Sequence, residues 1–172
     1  MIQLQLNSVK EFMNNLLLLD YFNHFLCVSG EITTFNTFSI DGFIHQDYYR
    51  QGINPPDENH QGDYPSMEYS TWSDLKEHCH SIIKGKKPPL GLKFIFKLPE
   101  VAVESFLEKY NLDYPTDEIQ GLYLNIRFES QKLYITTGTT LKTFSLSKDI
   151  ERAWDSELIS LMDELNMNYH LE

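Results

Sequence analysis

Histidine, cysteine and lysine crowd together once in this sequence, as His78-Cys79-His80 followed by Lys84, Lys86 and Lys87. Imidazoles and a thiolate are zinc ligands, and clustered ammonium groups grip phosphate. Spacing decides against the first chemistry. The stretch from Ser70 to Gly85 repeats apolar residues at helical intervals, with Trp72, Leu75, Cys79, Ile82 and Ile83 on one stripe and Ser70 or Thr71 as its cap. On a helix, residues i and i+2 stand about 200° apart. His78 and His80 therefore cannot share a metal, and Cys79 faces the core between them. No metal and no cofactor are expected. Lysines at the end of a helix complement its dipole, a role that needs no phosphate. Gly85 suits a left-handed stop.

A second group could do acid-base chemistry. His45 and Asp47 stand two apart in "FIHQDYY", beside the Asp41-Gly42 turn. If residues 43–49 form a strand, both side chains share a face and a general acid-base pair is within reach. The ordinary reading of such a pair is a solvated strand end. Tyr48, Tyr49, Tyr64 and Tyr69 flank a proline- and glycine-rich stretch, 51–65, that reads as a long surface loop. Tyrosine joins apolar area to a hydroxyl, which suits an interface, so these four are the expected partner-binding residues. The partner would be a protein or a second copy of the chain. No glycine-rich phosphate loop, nucleophile elbow or paired metal motif is present.

The elements that must hold these residues follow from periodicity. "MIQLQL" alternates as a half-buried strand, and Ser8 with Glu11 forms a capping box before a helix from about Val9 to Leu19. Strands are expected near 25–29, 31–40 and 43–49, broken at Ser29-Gly30 and turned at Asp41-Gly42. After the 51–65 loop and the histidine-bearing helix, "LGLKFIFKL" reads as a strand and "EVAVESFLEKY" as a helix. "IQGLYLNIRF", "KLYITT" and "TLKTFSL" read as strands joined near Ser130-Gln131 and Gly138, and a long amphipathic helix follows, capped by Ser147. Leu4, Phe12, Leu16, Trp72, Leu75, Phe94, Phe96, Phe106, Tyr123, Trp154 and Leu161 are the expected core.

Element for element, residues 1–85 and 90–166 spell the same order: strand, helix, three strands, helix. The 172 residues are thus expected to form a single α+β domain of two β-α-β-β-β-α units, packed about a pseudo-two-fold. Three segments resemble the sliding-clamp fold. "MIQLQLNSVKEFMNNLLLL" is similar to the opening strand and helix of a clamp subdomain, "FLCVSGEITTFNTFSIDG" to its hairpins, and "QKLYITTGTTLKTFSL" to a late strand pair. The resemblance implies a duplicated, clamp-like fold, with a TATA-binding-protein-like fold as the alternative. The chain also resembles a small family of uncharacterised bacterial proteins, in "SVKEFMNNLLL", "TTFNTFSIDG" and "LKFIFKL". That likeness implies no function.

Charge argues against the clamp's task. The formal net charge is -11, and the helix from Glu100 presents Glu100, Glu104, Glu108 and Lys109. Such a surface repels a duplex, so no specific nucleic-acid binding is expected. No apolar run approaches the ~20 residues that span a bilayer, and the N-terminus shows no signal peptide. A cytoplasmic protein with Cys27 and Cys79 reduced is expected. Two function classes stand: a non-enzymatic protein-interaction module, and a small enzyme or ligand-binding protein working near His45, Asp47 and Tyr49. An apolar groove between the halves would favour the first; a pocket of convergent polar groups would favour the second.

Overall fold

Alternation of apolar and polar residues builds the sheet on which the rest of the molecule packs. The computed structural model describes residues 1–49, 66–143 and 147–172. The expected loop 51–65 and Tyr64 lie outside them. Seven strands pair antiparallel: β1 (Gln3–Leu6), β2 (Leu26–Thr33), β3 (Thr37–Asp41), β4 (Gly91–Lys97), β5 (Ile119–Glu129), β6 (Lys132–Leu141) and β7 (Tyr169–Leu171). Their spatial order is β3-β2-β4-β5-β6-β1-β7. The helices are α1 (Val9–Leu17), α2 (Gln46–Tyr49), α3 (Trp72–Ile83), α4 (Glu100–Lys109) and α5 (Asp149–Glu164). None of the described helices is long and apolar enough to cross a membrane.

Register defines two faces. Ile32, Leu92, Phe128, Leu133 and Leu6 lie opposite one another on successive strands, and so do Gly30, Phe94, Ile126, Ile135 and Leu4. Every one of these is buried, because α1, α3, α4 and α5 cover this face with their own apolar stripes. The two tryptophans tie the layers together. Trp72 sets its ring 4.9 Å from Phe94 and 5.0 Å from Phe96, and its Nε1 donates to the Leu16 carbonyl at 2.7 Å, binding α3 to α1. Trp154 packs edge-on to Phe106 of α4 at 5.6 Å and donates to the Tyr123 carbonyl at 2.8 Å. A buried indole needs such an acceptor, and its area makes it a large contributor to the core. The opposite face is polar. Glu31, Lys93, Arg127, Tyr134, Gln5 and His170 form one cross-strand row on it.

Several expectations need correction. The chain does not break at Ser29-Gly30: β2 continues to Thr33, with a register shift against β4 between Cys27 and Ser29, and Gly30 is there because a Cβ would stand 2.8 Å from the Phe94 ring. The chain turns at 34–36 instead, and Asp41-Gly42 is no hairpin turn. Gly42 presses against β2 so closely that a Cβ would lie 1.6 Å from the Cys27 carbonyl oxygen. No strand forms over 43–49; Phe43 makes a single bridge to Tyr69, and α2 follows. Gly138 does not interrupt β6, and of "TLKTFSL" the residues 144–146 lie outside those described. Gly85 is not left-handed; α3 ends because Lys84 turns extended, with ψ 132°. Tyr123 is half-buried on the polar face rather than in the core, since its neighbours Leu122 and Leu124 take the inward positions. Leu75 and Leu161 are partly buried at the core's edge.

The duplication fares no better among the described residues. In the second half β4, β5 and β6 are consecutive neighbours. In the first half only β2 and β3 pair, while β1 lies between β6 and β7. The halves have different strand orders, so the fold is a mixed α+β sheet with one helical layer rather than two equivalent units. The physical reason is that β1 finds a better apolar partner across the molecule: Leu4 and Leu6 oppose Ile135 and Leu133, and all four are buried.

Candidate functional site

The expected acid-base pair is not assembled. His45 precedes α2 and Asp47 lies within it, with the Tyr48 N–H bonded to the His45 carbonyl at 3.0 Å. Both side chains are exposed, and the shared strand face that would have aligned them does not exist. The tyrosines divide. Tyr48 and Tyr49 pack edge-on at 5.5 Å and are both exposed. Tyr69 sits 6.3 Å from Phe43, whose other edge meets His45 at 5.5 Å. In α3, His78 is exposed while Cys79 is buried, which separates the histidine-cysteine triplet as its helical spacing implies. No group of three or more His, Cys, Asp or Glu residues able to hold a metal occurs among the described residues. Both cysteines are free thiols.

Tyr69 belongs to a polar cleft of about 600 Å³ where the 66–70 segment crosses the ends of β4 and β5. Glu68, Tyr69, Lys97, Glu100, Asp117 and Tyr123 line it. Lys97 and Tyr123 are direct cross-strand partners, so they stand side by side on the polar face. One glycine makes room for the Tyr123 ring. A Cβ on Gly121 would come within 2.4 Å of it, and Gly138 is its partner on β6. Burial, and then the neighbouring Glu68 carboxylate, push the Tyr69 and Tyr123 phenols above their ordinary range, so both remain hydroxyl donors. Among the described residues no histidine, cysteine or serine lines the cleft. What these residues offer a ligand is charge and hydrogen bonds.

A model of a family of unknown function, DUF5721, matches residues 15–170. The chain belongs to DUF5721. The DUF5721 match runs from within α1 into β7 and so contains the whole cleft. Neither a curated protein nor a solved structure matches the chain.

On the far side of this DUF5721 chain is a different surface. An apolar groove of about 800 Å³ opens between α1, the end of α3, the 85–90 segment and the β5–β6 turn. Val9, Met13, Ile83, Pro88, Leu90 and Phe128 line it, with Lys10 and Lys87 at its rim. Leu90 is 73% exposed. Sequence reasoning missed Lys97, Tyr123 and Glu68 because each looks ordinary alone; only the pairing of β4 with β5 brings them together. The lysine cluster was visible, but not the apolar floor beside it.

Proposed function

We propose that this chain is a non-enzymatic protein-interaction module, and that its groove docks a partner segment combining apolar anchors with carboxylates. The groove between the two halves carries the reading. Charge complementarity selects the occupant. The chain has 14 Lys and Arg against 25 Asp and Glu, yet Lys10, Lys84, Lys86 and Lys87 gather at this corner, and the last three are exposed in one short segment. A cationic rim around an apolar floor attracts acidic amphipathic chains and steers their approach. The proposal invokes no clamp-like ring, whose repeated halves the strand order does not reproduce.

Fluorescence anisotropy with a labelled leucine- and glutamate-patterned helical peptide tests it. The peptide should bind with micromolar affinity that weakens as salt rises, and a lysine-for-glutamate version should not bind. Leu90→Asp and Lys87→Glu alter exposed side chains and should each weaken binding about tenfold or more, ~1.4 kcal/mol. Absence of binding, or unchanged binding by both variants, would refute the proposal.

A further inference from the structure

Lys97 is the most deeply placed cation on the polar face. Its residue is 8% exposed, although it ends β4 on the sheet face opposite Phe94 and Phe96. Its alkyl stem is packed, while its ammonium keeps access to solvent through the cleft. Among the described residues its ion-pair partner is Glu100, at 3.9 Å, beyond hydrogen-bond reach. The Glu100 side chain is 88% exposed and can swing into solvent. Among the described residues no group takes a hydrogen bond from this ammonium, which faces the cleft. Tyr123 adds a neutral hydroxyl donor beside it, while the Tyr69 hydroxyl is turned to Glu68.

The rest of the lining sets the ligand's charge. Glu68, Glu100 and Asp117 are in the same cleft, as is Lys142. Three carboxylates against two lysines would repel a polyanion such as a phosphate ester, while one ligand ammonium would offset the excess. The size is that of small-molecule sites, ~300–1,000 Å³. We propose that this cleft binds a small zwitterion, a free amino acid or dipeptide, with its carboxylate on the Lys97 ammonium and its own ammonium toward Glu68. Tyr123, held in its glycine hollow, forms the wall against which the ligand's side chain lies. The site is separate from the groove, so it stands or falls independently of the interaction reading.

Isothermal titration of the full chain with each proteinogenic amino acid and with glycylglycine tests this, alongside sodium acetate, inorganic phosphate and ethylammonium chloride. At least one zwitterion should bind at millimolar concentration or below, and acetate, phosphate and ethylammonium should bind at least tenfold more weakly. Lys97→Met should abolish binding. Glu68→Gln, a change at an exposed side chain, should weaken the zwitterion about tenfold while leaving the far weaker acetate interaction unchanged. Binding of acetate or phosphate as tight as that of any zwitterion would overturn the proposal, as would no binding by any compound. Zwitterion binding undiminished in Glu68→Gln would overturn it too, even where Lys97→Met fails to fold.

Discussion

Gly42 shows how much of this molecule rests on single atoms. An alanine there would set its Cβ 1.6 Å from the Cys27 carbonyl oxygen, a backbone atom that cannot step aside. Gly42→Ala should therefore destabilise at or beyond the upper end of the usual overpacking range, about 1–3 kcal/mol, in equilibrium urea unfolding. Gly85→Ala, with nothing within 4 Å, should fall within about 0.5 kcal/mol of the parent; equal losses in the two variants would contradict the close-approach reading. Glycine at a turn and glycine under a neighbouring strand look the same in a sequence, which is why Gly30 and Gly42 read there as turns. The atoms that require them, on Phe94 and Cys27, become neighbours only after β2 has paired with β4 and the chain has folded back past β3. The cysteines give a second test at this scale. Burial pushes both thiols up to about 12, and the charge of Cys79 adds to the effect on Cys27. A folded chain that holds thiol protons which the unfolded chain releases has that stability fully below about pH 9, and loses it as pH rises toward about 12. Urea unfolding should show stability declining across this alkaline window. The decline should be shallower in the Cys27→Ala, Cys79→Ala double variant; an identical slope would mean that the thiols do not titrate with unfolding.

Among the elements, the β5–β6 hairpin is the one whose turn is chemically mismatched. Ser130 and Gln131 occupy its two central positions with φ of 50° and 63°, both left-handed. That is the geometry of a two-residue turn favouring Asn-Gly. Replacing Ser130 by Asn and Gln131 by Gly should stabilise by on the order of 1 kcal/mol, seen as a rise of ~2–4 °C in Tm for a chain of this size. A lowered Tm would show that the present side chains serve another purpose at the groove they border. Element type was legible wherever a segment was strongly patterned: α1, α3, α4, α5, β1, β4 and β5 all lie where periodicity puts them. Short elements without such a pattern were not. β7 has three residues, too few to display alternation, and α2 has four inside a β-branched and aromatic context that mimics a strand. The cleft was legible only through Tyr69, because its other members are supplied by strand register, which local pattern does not encode.

At the scale of the whole molecule, strand order links the two halves more tightly than a tandem duplication would. β1 comes from the start of the chain yet pairs on both sides with strands of the second half, β6 and β7. β2 pairs with β4, again across the midpoint. Residues 89–172 alone would leave β6 and β7 separated by an empty strand position and expose the buried Ile135 and Leu133. Residues 1–88 alone would leave β1 with no partner and Phe12, Leu16 and Trp72 with no Phe94 and Phe96 to cover. A two- or three-stranded remnant with an uncovered apolar face is not independently stable in water. Each fragment, expressed separately, should therefore give the circular dichroism and amide dispersion of an unfolded or aggregated chain. Mixing the two from denaturant should restore native spectra, since all seven strands are then present. A fragment that folds cooperatively by itself would return the molecule to the reading of two autonomous repeats, and the different strand orders of its halves would then need another cause.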